Sequence, residues 1–218
     1  MPEINFLKNY PQTKRNVDER GSEKTEADRA VARQFGKDYF DGDRRFGYGG
    51  YSYQPRFWQP VMPDFKRHYK LSSKSSILDV GCGKGFMLYD FLQLIPRINI
   101  RGVDISQYAL EHAKPEVKHF LEIGNAKKLN FPDGTFDLVI SINTVHNLKL
   151  EDCKEALREI QRVSRGNAFV TVDAYRTDEE KKRMDKWNLT ALTYMHVEEW
   201  KKLFEEAGYK GDYFWFIP

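Results

Sequence analysis

From residue 76 to residue 172, two hydrophobic periods take turns along the chain. Short, nearly continuous apolar runs alternate with stretches in which apolar residues recur every three to four positions. Runs of the first kind suit strands covered on both faces, and stretches of the second kind suit amphipathic helices. The pattern predicts a strand ending in Ile77-Leu78 and Asp79, a helix over Phe86–Leu94, and a strand over Ile98–Asp104. A helix capped by Ser106 follows, running to Ala113 and ended by Pro115. Strands are then predicted at His119–Ile123, Phe136–Ile142 and Ala168–Val172, with a helix at Glu151–Val163 closed by Gly166. Beyond them lie a charged helix over Asp178–Lys186 and a segment at 187–195 that reads either as a strand or as an irregular return. A helix at Val197–Ala207, stopped by Gly208, and a strand at Asp212–Ile217 end the chain.

Strand and helix in alternation predict an α/β fold: a doubly wound, mostly parallel sheet of about six to seven strands with helices on both faces. The N-terminal third breaks the pattern. Residues 1–27 are polar and charged, with Ile4, Phe6 and Leu7 as their apolar cluster, and read as a flexible or wrapping arm. Residues 28–70 read as a helical, aromatic-rich cover, and residues 71–218 as the core. Thr25-Glu-Ala-Asp28 resembles a capping signal, with Ala30, Val31, Phe35 and Tyr39 near helical spacing behind it. Residues 40–63 interleave glycines, arginines and aromatics. They suit an irregular cover on the core, or a lid whose Tyr48 and Tyr51 close over a ligand. A short helix is expected over Val61–Tyr69.

A length of 218 residues allows one well-cored domain and an extension. Basic and acidic side chains number 35 and 32, for a net charge of +3, so composition makes no electrostatic case for nucleic acid. Two cysteines, Cys82 and Cys153, supply neither a disulfide framework nor a four-thiolate metal site, and no metal is expected. No apolar run has the length of a membrane span, and Met1–Lys8 carries no signal-peptide pattern, so a cytoplasmic protein is expected.

In such sheets ligands bind outside the carboxyl ends of the strands. Those ends carry Asp79 with Gly81, Gly83 and Gly85; then Asp104; then Gly124, Asn125 and Ala126; then Ser141 to Asn143, with His146 and Asn147; and last Asp173, Tyr175 and Arg176. Asp104 follows the glycines at the distance where an acid meets ribose hydroxyls in nucleotide-binding folds. The glycines fall at alternate positions, with Phe86 where a dinucleotide fingerprint requires the third glycine. An acid at Asp79 repels a pyrophosphate and suits a cationic group. A ligand with a ribose and a cationic end satisfies both acids, and a dehydrogenase does not fit the spacing.

With these residues the chain resembles the class I S-adenosylmethionine-dependent methyltransferases. Leu78-Asp79-Val-Gly81-Cys-Gly83-Lys-Gly85 matches the first motif and Gly102-Val-Asp104-Ile-Ser106 the second. Asn125-Ala126 with Leu129 to Val139, then Ser164 to Ala168, then Val197 to Tyr209, match later regions in order, over roughly residues 70–218. The resemblance implies S-adenosylmethionine as cofactor, held by the loop of Gly81, Cys82, Gly83 and Gly85. Asp79 would lie near the methionine ammonium, Asp104 on the ribose, Ile105 on the adenine, and Asn143 at the methionine moiety. Asn125, beside Ala126, stands where the family has an Asp at the adenine amino group; its amide oxygen can still accept that bond. Cys82 otherwise reads as a small loop residue.

A sulfonium methyl needs alignment more than activation, and a base only where the acceptor must lose a proton. His146 is the candidate base and Tyr175 its companion; the alternative for His146 is a structural histidine at a helix start. Tyr48, Tyr51, Asn147, Asp173 and Arg176 are candidate acceptor contacts. The reading is a small-molecule methyltransferase. Its rivals are an RNA or protein methyltransferase, using Arg44, Arg45, Arg56, Lys66, Arg67 and Lys70, and a non-catalytic binder of the same fold. Ser141-Ile-Asn-Thr-Val-His-Asn147 lacks the Asn/Asp-Pro-Pro-Tyr signature of amino-methylating members.

Overall fold

The computed structural model describes residues 1–11, 17 and 24–218. Its centre is a seven-stranded sheet: β1 (Ser76–Val80), β2 (Asn99–Asp104), β3 (Leu121–Ile123), β4 (Leu138–Ile142), β5 (Ala168–Tyr175), β6 (Met195–His196) and β7 (Asp212–Phe216). The order begins β3-β2-β1-β4-β5, and β6 and β7 both pair with the outer edge of β5. Every pairing is parallel. The chain runs outward from β1 to β3, then returns to place β4 on the other side of β1. The crevice where strand order reverses therefore opens between the carboxyl ends of β1 and β4.

Parallel strands need crossovers, and the helices supply them on both faces. Along β1, Leu78 and Val80 point to one face and Ile77 to the other, the period of two that a doubly covered strand requires. One face packs on α8 (Leu150–Val163) and α10 (Val197–Ala207), through Ala156, Leu157, Ile160, Trp200 and Phe204. The other packs on α4 (Met62–His68) and α5 (Phe86–Leu94), through Phe65, Met87, Leu88 and Phe91. Gly208, left-handed at φ 69°, closes α10 as expected.

The differences from expectation have local causes. Thr25 and Asp28 do form a capping box, but the helix it opens, α1 (Glu26–Ala32), does not reach Tyr39. Phe35 turns left-handed at φ 49°, and the chain restarts after Gly36 as α2 (Lys37–Asp41). Pro55 opens a single turn, α3 (Pro55–Trp58). The helix behind Ser106 stops early, as α6 (Gln107–Glu111), and Pro115 begins a separate turn, α7 (Pro115–Lys118), where a proline at the first position needs no amide. β5 runs on to Tyr175, so Asp173 lies inside the strand. The charged stretch after it is α9 (Asp178–Trp187), and residues 188–194 form an irregular return.

Residues 1–11 lie along the core. The Ile4 amide donates to the Tyr213 carbonyl at 2.8 Å and the Tyr213 amide to the Pro2 carbonyl at 3.2 Å, which pairs this segment with the open edge of β7. Phe6 anchors it, its ring 4.4 Å from Phe65 and 5.0 Å from Phe169. The rest of the expected arm, 12–16 and 18–23, lies outside the described residues.

Candidate functional site

The turn after β1 is shaped by its glycines, but for different reasons. Gly81 sits at φ +86°, and a Cβ there would meet Thr144 Oγ1 at 2.0 Å; the loops after β1 and β4 touch at this point. Gly83 turns its amide to Asp104 Oδ2 at 2.7 Å, fixing the loop to the end of β2. Gly85 differs from expectation. It caps α5 behind the loop, where a Cβ would lie 2.9 Å from Val117 and 3.0 Å from Leu121, and it does not line the cavity.

Two acids face one another's field across this turn. Asp104 accepts from the Gly83 amide on one oxygen and from the Ser106 amide, at 2.8 Å, on the other. Each carboxylate oxygen keeps a lone pair. Burial pushes the Asp104 carboxyl up, and the amide hydrogen bonds offset only part of the rise. Asp79 receives no hydrogen bond among the described residues; burial first, and the charge of Asp104 second, push its carboxyl up to about 8. Beside Asp104, Ile105 is 59% exposed, an apolar shelf with nothing on it. Cys82, buried, holds its Sγ against the chain and its thiol well above the usual range, as suits an inert loop residue.

Across the crevice, Asn143 adopts φ 51° and locks to β5: its amide donates to Thr171 Oγ1 at 2.8 Å, and Thr171 Oγ1 donates to Asn143 Oδ1 at 2.7 Å. Asn147 hangs from the Asn143 carbonyl through Nδ2. His146 is buried, and its Nδ1 accepts the Asp173 amide at 2.9 Å. An amide can only donate, so Nδ1 carries no proton and Nε2 does. Burial lowers the ring's pKa, against the raising charge of Asp173. His146 in this state is neutral and donates through Nε2. The lone pair on Nδ1 is engaged by the Asp173 amide, so a base at that nitrogen would have to give up this bond. The Tyr175 ring packs on His196, 5.8 Å between centroids, beside the cavity rather than in its wall. Asn125 Oδ1 already accepts the Lys127 amide at 3.0 Å, so any further contact uses its second lone pair or Nδ2.

The aromatic segment lies directly on the glycine turn. A Cβ on Gly83 would sit 3.6 Å from both Phe40 and Tyr51, and the Tyr51 and Phe86 rings are 4.9 Å apart. Tyr48 stacks on Tyr51 at 4.3 Å. Beneath them is a cavity of about 1050 Å³ that reaches from Asp79, Asp104 and Asn125 to Asn143, His146 and Arg176. Small-ligand sites run to roughly 300–1,000 Å³, so this one lies at the large end of the range. Sequence reasoning missed Leu7, Tyr10 and Thr144 in its wall; the first two arrive from the far end of the chain, and no spacing announces them. Three of the six basic residues singled out are engaged within the chain. Arg44 is spent on the Gly47 and Tyr48 carbonyls, Arg45 on Asp28 and Arg67 on Asp64. Among the described residues there is no cluster fit for a metal ion, and no helix is long and apolar enough to cross a membrane.

Residues 77–167 match the family model for a methyltransferase domain. Over 127 residues the chain is 32% identical to the malonyl-[acyl-carrier protein] O-methyltransferase of Legionella pneumophila, covering 56% of this chain and 44% of that one. Over 126 residues it is 33% identical to the demethylmenaquinone methyltransferase of Symbiobacterium thermophilum, covering 54% of this chain and 49% of that one. The chain thus spans about half the length of these curated relatives. Among solved structures, the YcgJ protein of Bacillus subtilis superposes with a TM-score of 0.56 at 19% identity, over 67% of this chain and 66% of that one, a likeness of fold.

Proposed function

We propose that this chain, a class I methyltransferase by its fold and by the domain it carries over residues 77–167, transfers a methyl group from S-adenosylmethionine to a small-molecule acceptor. The observation that carries the reading is the pair Asp79 and Asp104 at one crevice. Asp79 is buried, and its burial and the charge of Asp104 push its carboxyl up to about 8; Asp104 is held by the Gly83 and Ser106 amides with lone pairs to spare.

The residues present fit the cofactor. Asp104 would take the two ribose hydroxyls, Ile105 would lie against the adenine, and Asp79 would meet the ammonium. The cofactor supplies an already activated methyl group. The protein's part is alignment and the exclusion of water: Asn143 and Asn147 form one wall, the aromatic cover the other, and Tyr48, Tyr51 and Arg176 border the acceptor end. His146 donates a hydrogen bond from Nε2 to an acceptor oxygen or nitrogen, and Asp173 fixes its tautomer. Turnover should accordingly show no histidine limb between pH 6.5 and 8.

Calorimetric titration with S-adenosylhomocysteine, which keeps the ammonium and the ribose, tests the binding half. Asp79 has a folded-state pKa of about 8, so it is mostly protonated at pH 7. Pairing with a cation favours its charged form, so binding should release a proton, and affinity should rise as pH climbs toward 8 and level off above it. Titration in buffers of different ionisation enthalpy measures the release, and Asp79→Asn should abolish it. A folded protein that binds neither cofactor nor product would defeat the proposal.

A further inference from the structure

The glycine turn carries a residue that neither its spacing nor its resemblance explains. Lys84, between two glycines, is 6% exposed. Its Nζ reaches away from the cavity's acids to Asp41 Oδ2 at 2.6 Å and the Tyr51 carbonyl at 2.8 Å, both in the aromatic cover. Asp41 is fully engaged: Tyr108 donates to the same oxygen at 2.7 Å, and the Tyr51 amide to the other at 2.9 Å. Burial pulls the Asp41 carboxyl upward, but Lys84, Tyr51 and Tyr108 outweigh it and hold it below the ordinary value.

The cover is moored at two more points, one on the loop after β2 and one on α5. Ser106, whose amide holds Asp104, donates its hydroxyl to the Phe35 carbonyl, at the left-handed residue that breaks the first helix. Tyr53 donates to Asp90 on α5 at 2.6 Å. One circuit therefore runs from Asp41 through Lys84 and the neighbouring Gly83 amide to Asp104, and back through Ser106 to Phe35. A buried ion pair is a weak source of stability, because desolvation offsets the attraction; it is well suited to fixing one arrangement among several.

We propose that Lys84 is a positioning residue that couples the bound cofactor to closure of residues 35–53 over the acceptor end of the cavity. The proposal rests on the cofactor reading above. Ligand that orders the glycine turn orders Lys84 and with it Tyr51, and the cover in place holds the turn in its binding form. Coupling of this kind is reciprocal.

The test uses the full chain with S-adenosylhomocysteine and reads affinity alongside tryptic cleavage at the exposed Arg44 and Arg45. The ligand should protect these bonds in the wild type. Lys84→Met and Asp41→Asn should each weaken binding about tenfold and lose ligand-dependent protection, and the double variant should be no worse than either single one. A purely structural lysine would alter cleavage with and without ligand equally. Should Lys84→Met fail to fold, Asp41→Asn and the milder Tyr108→Phe carry the same readout. Folded variants that keep both affinity and protection overturn the coupling. Failure of the wild type to bind is a different result and defeats the cofactor reading instead.

Discussion

Asp104→Ala is expected to lower affinity for S-adenosylhomocysteine by about a hundredfold to a thousandfold, read by calorimetry, while the unliganded protein stays folded. Each hydrogen bond to a charged group is worth about 1.5–3 kcal/mol, and a carboxylate on a vicinal diol makes two, so about 3–6 kcal/mol is at stake, of which the expected loss takes the lower part. The same carboxylate receives the Gly83 and Ser106 amides, so the turn loosens when it goes. Asp104→Asn keeps the shape and one acceptor oxygen and should fall between the two. The stability of the variant separates ligand binding from folding. In the wild type, Asp79 has a folded pKa raised from 3.8 to about 8, in part by the charge of Asp104. A raised carboxyl binds its proton more tightly when folded, so its contribution to stability declines as pH rises through that interval. Removing Asp104 lowers the Asp79 pKa and lessens the decline. The stability difference should shift toward the variant between about pH 4 and pH 8. Loss of binding with no such shift would mean that the two acids do not share a field. An undiminished affinity would remove Asp104 from the site.

Where the fold was legible in the sequence, a local signal agreed with a global one. Leu138 to Ile140 is apolar because both faces of β4 are covered, and Ser106 caps a helix because its hydroxyl meets the Ala109 amide. Gly208 stops α10 because it alone turns left-handed there without strain. The convergence of Asp79, Gly81 and Asp104 on one crevice was legible for the same reason: strand ends that the sequence marks place them. The far wall of the cavity was not. Tyr10 and Leu7 reach the cavity because Phe6 finds Phe65 and Phe169, a contact across more than 150 residues that no periodicity encodes. Tyr175 was drawn into the site by proximity to a strand end expected at Val172. The strand continues to Tyr175, and its side chain leaves the cavity. The hydrogen bond that sets the state of His146 was not legible, because only the folded chain brings the Asp173 amide to its Nδ1. Nothing in the sequence marks a role for Lys84, because its partner Asp41 lies 43 residues upstream.

Gly81→Ala is expected to cost about 3 kcal/mol or more of folding stability, measured by urea unfolding, before any question of binding arises. Two terms contribute. At φ +86° a side chain is strained by about 1–2 kcal/mol. The new Cβ would also lie 2.0 Å from Oγ1, 2.4 Å from Cγ2 and 2.7 Å from Cβ of Thr144, a β-branched side chain that cannot swing clear, and such overpacking adds about 1–3 kcal/mol. Gly166→Ala supplies the control. Gly166 is also left-handed, at φ +132°, but has nothing within 4 Å of an added Cβ, so its variant should lose the backbone term alone. Thr144→Ala in the Gly81→Ala background removes Oγ1 and Cγ2 and should recover part of the steric term, an interaction a double-mutant cycle reads directly. The consequence is functional as well as structural, because Gly81 and Thr144 meet where the loops after β1 and β4 close the bottom of the crevice. If Gly81→Ala costs no more than Gly166→Ala, that junction yields, and the crevice floor is not the rigid surface on which alignment of a methyl group depends.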